Sequence, residues 1–351
     1  VSIRYTLDGK IPDSCATLYH SAIFIDTTTV VRAAAFLSDG RSSGINTATF
    51  IINESFDLPV VSLTTDPKNL WDPDFGIYAK GGNARDDYPY KGANFWREWE
   101  RPIHIEFFEP DQRLAFTADA GVRIFGHSSV GAPFKPLVFY ARKQYGDGSF
   151  KYQIFPDKDI HEFEAFMLRN SGNDWNRTLF RDAFMQELAS EILLPGQAYR
   201  PAIVFINGVY WGLHNLRERM NEHYVASNFH VETDAMDLMA WNYGLQVYAG
   251  DDILFEDMRK FVKENDLSVP ENYSHASSLI HVGNFIDYFI MQVFCNNRDW
   301  PSNNQYLWRP RQEDGRWMWL LKDMDHGFGY EVSFNYNSLV RNALKDDLFP
   351  H

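Results

Sequence analysis

The 351-residue sequence predicts an α+β protein, with a small antiparallel β-sandwich over residues 1–53 preceding a larger mixed domain over residues 58–351. Three observations lead there. Residues 1–53 alternate in the two-residue period of strands and are punctuated by Asp8-Gly9 and Asp39-Gly40, the signature of hairpins. Strand-like runs continue to about residue 215, with one embedded helical segment, and the remainder is mainly helical in period. A hydrophobic content of 45% and an aromatic content of 16% suit a chain that buries a large core.

Composition narrows function mainly by exclusion. A formal net charge of −14 repels phosphate backbones and anionic bilayers over most of the surface, which argues against nucleic acid as a main ligand. A local basic cluster can still hold a nucleotide. Cys15 and Cys295 are the only cysteines and are far apart, so neither a disulfide framework nor a thiolate metal site is indicated. No apolar run reaches the roughly 20 residues of a membrane span, and no signal peptide is recognisable. The chain opens without Met in the middle of a strand-like pattern, as an excised piece of a longer chain does.

Taken in order, residues 3–7, 23–25, 29–37 and 47–52 read as the strands of the sandwich. A polar joint at 53–57 follows. Leu58-Pro59-Val60-Val61-Ser62-Leu63 then opens the second domain, with strands at 103–108, 118–125, 136–141 and 165–169. Asn176 is placed to cap a helix over 177–194, whose apolar residues recur at helical spacing and which Pro195-Gly196 ends. Strands return at 202–207 and 211–215 around Asn207-Gly208. Residues 252–265 and 284–296 are helical, the second carrying Phe285, Tyr288, Phe289 and Val293 on one face. Residues 306–308 and 317–321 form a last strand pair.

Chemistry concentrates in two segments. Asn296-Asn297-Arg298-Asp299-Trp300-Pro301-Ser302-Asn303-Asn304 lies between a helix and a strand, and Arg298-Asp299…Asn304 preserves the R-D-x-x-x-x-N spacing of a kinase catalytic loop. There the Asp receives the acceptor's proton and the Asn binds metal. The next strand ends in Lys322-Asp323-Met324-Asp325-His326-Gly327-Phe328-Gly329. Carboxylates at i and i+2 on leaving a strand are expected to point the same way, which suits a hard divalent cation. His326 reads as a hydrogen-bonded loop residue. Arg169 and Asp174 read as an ion pair fixing a turn.

Beyond these segments, Gly76-Ile77-Tyr78, Arg123-Ile124-Phe125-Gly126-His127-Ser128-Ser129, Leu168-Arg169-Asn170-Ser171-Gly172-Asn173-Asp174 and Asn215-Leu216-Arg217-Glu218-Arg219 follow in unbroken order. Together with Phe205-Ile206-Asn207-Gly208-Val209-Tyr210-Trp211-Gly212-Leu213 they make residues 58–351 resemble the CotH-like spore-coat kinase family. Tyr5-Thr6-Leu7-Asp8-Gly9-Lys10-Ile11-Pro12 and Val30-Val31-Arg32-Ala33-Ala34-Ala35-Phe36 resemble the accessory sandwich of chitobiase and hexosaminidase enzymes. The first resemblance implies an atypical protein-kinase-like fold and phosphoryl transfer from ATP to protein Ser/Thr with Mg²⁺ or Mn²⁺. It implies Asp299 as the catalytic Asp and Asp323 as a metal ligand, supported by Asn304 and Asp325. The sequence departs from kinases in lacking a glycine-rich motif and V-A-I-K, and Asp323-Met324-Asp325-His326-Gly327 replaces D-F-G.

On that frame the front half supplies the nucleotide cradle. Ser128 and Ser129, in the Gly/Ser turn 126–131, offer donors to phosphate oxygens, and Lys135 supplies charge, with Arg142 as substitute. Kinases hold such a Lys with a helix Glu; Glu187 and Glu218 are the candidates. The expected partners are a nucleotide and a protein substrate, with glycan or cell-surface contact through the first module, in a secreted or cell-surface bacterial protein. A catalytically degenerate cell-surface or spore-coat-like binding module is the alternative. A glycosidase is disfavoured, because acids one residue apart do not face each other across a glycosidic bond.

Overall fold

The computed structural model describes residues 1–333 and 335–341. Residues 342–351, with the Leu348-Phe349-Pro350-His351 end of the expected second domain, lie outside the described residues. The chain forms two compact units, Val1–Trp175 with Tyr199–Arg217, and Asn176–Ala198 with Glu218–His351. The polar joint at 53–57 therefore falls inside the first unit.

The first unit begins with β1 (Ser2–Thr6), β2 (Thr17–Leu18), β3 (Thr29–Phe36) and β4 (Asn46–Phe50), a single antiparallel sheet in the order β2-β1-β3-β4. The expected sandwich is thus one layer. Asp-Gly turns at Gly9 and Gly40, both with positive φ, specify hairpins but not a second sheet. Residues 23–25 form no strand, and Phe24 is exposed. Val30, Arg32 and Ala34 alternate inward along β3, and the Arg32 guanidinium donates to the Gly9 carbonyl at 2.8 Å.

The remainder of this unit is a closed seven-stranded barrel with α1 (Pro67–Trp71) beside its first strand. Its strands are β5 (Val60–Thr64), β6 (Arg101–Phe108), β7 (Leu114–Ile124), β8 (Leu137–Tyr140), β9 (Ala165–Arg169), β10 (Tyr199–Ile206) and β11 (Val209–Glu218). Parallel pairing of β10 with β5 closes it. The inward residues include Val61, Leu63, Ile105, Phe107, Phe139, Phe166, Leu168 and Val204, all essentially inaccessible. At about 1.5–3 kcal/mol for each large apolar side chain buried, this interior dominates the unit's stability. The turn Asn207-Gly208 has φ of +50° and +80°, the two left-handed residues that a two-residue hairpin requires.

The sheet joins the barrel through buried polar groups. Glu106 on β6 is 2% exposed, and its carboxylate accepts from both the Thr49 amide at 3.1 Å and the Thr49 hydroxyl at 2.5 Å. Asn207 Oδ1 accepts from the Thr65 amide at 3.0 Å, and Gly9 packs so closely on Asn207 that a Cβ there would lie 2.4 Å from it.

The second unit contains α2 (Arg181–Ser190), α3 (Glu222–Phe229), β12 (Met236–Trp241), β13 (Leu245–Ala249), α4 (Ile253–Glu264), α5 (Pro270–Leu279), α6 (Val282–Phe294), β14 (Gln305–Pro310), β15 (Met318–Leu320) and α7 (Ser338–Arg341). The embedded helix is shorter than expected. It starts at Arg181, because Leu179 is left-handed and Phe180 carries no capping hydrogen bond, so Asn176 is not its cap. The antiparallel sheet runs β13-β12-β14-β15, and its central strands β12 and β14 are buried on both faces while the edge strand β13 is largely exposed. Met236, Leu238, Ala240, Tyr306, Trp308 and Leu320 pack with Tyr224 and Val225 of α3. The alternate residues Met239, Leu307 and Trp319 pack with Met185, Phe255, Tyr288 and Trp300. No helix among the described residues is long and apolar enough to cross a membrane.

Thr49→Val should lower stability by about 1–3 kcal/mol by leaving a buried carboxylate short of its donor; a urea midpoint unchanged from wild type would contradict this role. Burial pushes the His214 imidazole on β11 down to about 4, against weaker opposing contributions from the backbone at Lys135 and Gly212. The unfolded imidazole titrates near 6.5, so between 6.5 and 4 the unfolded chain binds the extra proton. Stability is therefore present above about pH 6.5 and is lost as pH falls toward 4, by roughly 3 kcal/mol for this group. His214→Phe should remove that part of the acid sensitivity in unfolding curves taken between pH 7 and pH 4.

Candidate functional site

Both acidic segments belong to the second unit. Helix α6 ends at Phe294, and Asn296 turns the chain with a left-handed backbone, φ +55°. Asn297, 1% exposed, donates to Gln292 Oε1 at 2.9 Å and accepts from the Asp299 amide at 3.2 Å. Trp300, buried in the core, anchors the loop on the other side. Between these anchors Asp299 is half-buried, and its Oδ2 accepts from the side-chain amides of Asn303 at 2.8 Å and Asn304 at 2.9 Å. Its Oδ1 receives the Tyr243 hydroxyl at 3.4 Å. Because Asn304 directs its amide N–H at Asp299, its Oδ1 is the oxygen left for another ligand.

Strand register places the neighbours of this loop. Trp241 pairs with Gln305 and Tyr306 with Leu320. Continuing past these pairs brings Asn242, Asn304 and Lys322 abreast. The Asn304 amide donates to Asn242 Oδ1 at 3.2 Å, and the Tyr243 amide donates to the Ser302 carbonyl at 3.0 Å.

The second segment leaves β15 through Leu321, whose amide donates to the Pro195 carbonyl at 2.7 Å. Asp323 then has φ +56°, so the expected extended exit is absent and the i, i+2 rule for strands does not apply. The two carboxylates accordingly meet different surroundings: Asp323 is half-buried, whereas Asp325 is 3% exposed. Met324 between them is buried, and its amide donates to Asp182 Oδ1 at 2.7 Å; the same oxygen accepts from Gln186 at 3.0 Å. The Phe328 amide donates to the Cys295 carbonyl at 2.7 Å, tying the segment to the end of α6. Gly327 sits where a Cβ would lie 2.5 Å from Met185 Sδ and 3.0 Å from the Cys295 oxygen, so close packing requires glycine there.

His326 lies in the electrostatic field of this site. Its ring stacks on Tyr330 at 4.9 Å, and burial pushes its pKa down against the opposing pull of Asp299 and Asp323, which favours the neutral imidazole at pH 7. Positive charge comes from arginines. Arg177 and Arg298 both reach Glu331 at 3.4 Å, Arg177 lies over the Tyr330 ring, and Arg181 donates to the carbonyls of Gly327 and Phe328.

The front-half candidates are placed differently from expectation. Ser128 and Ser129 begin a single 3₁₀ turn, Ser128–Gly131, and their carbonyls accept from Tyr88 and Asn170 respectively. Lys135 is 5% exposed, with its ammonium donating to the carbonyls of Val130 at 2.7 Å and Ala132 at 3.1 Å and lying 3.7 Å from the Phe95 ring centre. Burial, with Lys80 adding repulsion, lowers it to about 8. These contacts make Lys135 a brace of its own loop. Arg142 is paired with Glu100 at 2.9 Å. In the second unit, Glu187 is exposed on α2, and Glu218 is buried, accepting from the Ala198 amide at 2.8 Å and Asn228 at 3.0 Å.

Among the described residues, no group of three or more His, Cys, Asp or Glu side chains is arranged to hold a metal ion. Asn304 and Asp323 carry oxygen donors of the type that hard cations such as Mg²⁺ take. Sequence reasoning missed Asn242, Tyr243, Asn303 and Asp182. Asn303 sat inside the recognised loop, but the other three reach the site only through strand pairing or a helix start far away in sequence.

A family profile described as CotH kinase protein matches residues 122–347, more than half of the chain. A second, described as chitobiase/beta-hexosaminidase C-terminal domain, matches residues 1–47. No match was found among curated proteins.

Asp182→Ala should loosen the Asp323–Asp325 segment and lower stability by about 1–3 kcal/mol, since it strands a buried backbone amide. Asp182→Asn, which keeps an acceptor oxygen, should retain more of that stability; equal denaturation midpoints for the two variants would argue against the hydrogen bond to Met324.

Proposed function

Because the chain belongs to the CotH kinase protein family, we propose that it transfers the γ-phosphoryl group of ATP to a serine or threonine hydroxyl of a protein substrate. The observation that carries this reading is the pair of amide donors on Asp299 Oδ2, which hold the carboxylate still while Oδ1 faces a hydroxyl. In the reaction Asp299 orients the acceptor hydroxyl and takes its proton as the oxygen attacks phosphorus. Asn304 serves twice, its N–H fixing Asp299 and its Oδ1 available to a cation.

Asn304 and Asp323 are the residues that would hold Mg²⁺ or Mn²⁺, with Asp325 behind them. When bound, the ion supplies neutralisation of triphosphate charge. Arg298, next in sequence to Asp299 and weakly held by Glu331, is the nearest positively charged side chain in the loop.

A second reading, a degenerate binding module at a cell surface or spore-coat-like layer, is favoured by one observation: Lys135 is committed to its own loop. Raised melting temperature with ATP and Mn²⁺ supports nucleotide use; no shift supports the binding module. The N-terminal sheet would then be the part that contacts glycan or other surface components.

With radiolabelled ATP, Mn²⁺ and casein, wild type should incorporate phosphate. Asp299→Asn should reduce kcat by about 10²–10⁴-fold, the usual worth of a positioned general base. Asp323→Asn should be similarly impaired and partly restored by high Mn²⁺. Transfer that survives both substitutions at wild-type rate would remove these residues from the mechanism.

A further inference from the structure

The hydroxyl that already stands at Asp299 belongs to the chain itself. Tyr243 occupies the turn between β12 and β13, is 77% exposed, and directs its phenol oxygen to Asp299 Oδ1 at 3.4 Å. A general base must be within hydrogen-bond reach of the proton it takes, and such contacts are often long before substrate binds. The Tyr243 amide donates to Ser302 and the Asn242 amide to Gly244, while Asn242 Oδ1 receives the Asn304 amide, so the turn is fastened to the loop that carries Asp299.

The backbone points the same way. Tyr243 has φ +54°, a conformation that a bulky aromatic residue adopts only when its surroundings impose it. A hairpin position of this kind ordinarily takes Gly or Asn. The strained placement delivers the phenol to the carboxylate. By contrast, nearby Tyr248 contacts the Tyr306 hydroxyl, and Tyr224 is buried.

From this geometry we infer that Tyr243 is a self-modification site, an intramolecular acceptor of the γ-phosphoryl group. The inference rests on the phosphoryl-transfer reading of Asp299 and extends it to a phenolic acceptor within the chain. In the step, Asp299 takes the phenol proton, the Tyr243 oxygen bonds to the γ-phosphorus, and the bond from that phosphorus to the β,γ-bridging oxygen breaks. The electron pair leaves with ADP. The product is a phosphate monoester beside the Asp299 carboxylate, and the repulsion between these like charges drives the modified turn away from the loop.

The full chain, treated with phosphatase and repurified, is incubated with ATP, Mn²⁺ and casein, and its peptides are mapped by tandem mass spectrometry, which separates Tyr243 from Tyr224 and Tyr248. Wild type should gain one phosphate at Tyr243 with a rate constant independent of protein concentration. Asp299→Asn should gain none, alone or mixed with active wild type. Phosphorylated casein with unmodified Tyr243 overturns this inference and leaves the proposed function standing. Phosphate on neither overturns both. Tyr243 phosphate appearing on the Asp299→Asn chain in the mixture overturns the intramolecular assignment.

Discussion

The antiparallel register of β12, β14 and β15 is the constraint on which the candidate site depends. Three strand ends that are far apart in sequence finish at the same level, delivering Asn242 and Tyr243, Asn303 and Asn304, and Lys322 with Asp323 to one edge of the sheet. A slip of one residue in any strand would turn its core side chains to the opposite face. Both faces here are filled, by Trp308 and Leu238 on one side and Trp319 and Leu307 on the other, so the core that stabilises the unit also fixes the site. Asp299 inherits its position from this arrangement through Asn303 and Asn304.

Polar groups then do locally what packing cannot. Asn297 links helix α6 to the Asp299 amide, and Asp182 links α2 to the Met324 amide. Each is buried, where a donor without a partner is expensive and a satisfied one enforces a single geometry. Glu106 and Thr49 play the corresponding part in the first unit, binding the N-terminal sheet to the barrel. The sheet thereby gains the buried face that the sequence led one to expect from a second β layer.

What could be read from the sequence follows the range of the interactions involved. The α+β class, most strands and the helix over 284–296 are local matters of period and punctuation, and the structure has them. The spacing of Arg298, Asp299 and Asn304 was likewise legible because one short loop contains it. The surroundings of Lys135 were not legible: a Gly/Ser turn followed by Lys looks like an anion cradle, and the ammonium donates to Val130 and Ala132 carbonyls that sequence does not reveal as neighbours. The embedded helix began late because Leu179 adopts a left-handed backbone that its residue type gives no reason to expect. Asp182 and Tyr243 were invisible since their roles exist only after α2 and the β12–β13 turn have docked.

Backbone strain is one of the constraints on the site, though left-handed residues such as Tyr90, Leu179 and Leu193 also occur elsewhere in the chain. Asn296, Asn304, Asp323, Phe328, Glu331 and Tyr243 all have positive φ, and all lie in the two acidic segments, just after the second, or in the turn beside them. Asn and Asp tolerate this region, so the first three carry little penalty. Phe328, Glu331 and Tyr243 have no such relief, and left-handed residues of their kind cost about 1–3 kcal/mol each. Such placements persist only where several contacts agree. Phe328 has its amide on Cys295 and its carbonyl on Arg181; Glu331 has Arg177 and Arg298; Tyr243 has Ser302 and Asp299. The fold therefore holds these three residues against their local preference, and every one of them adjoins either the Asp299 carboxylate or the segment that begins at Asp323.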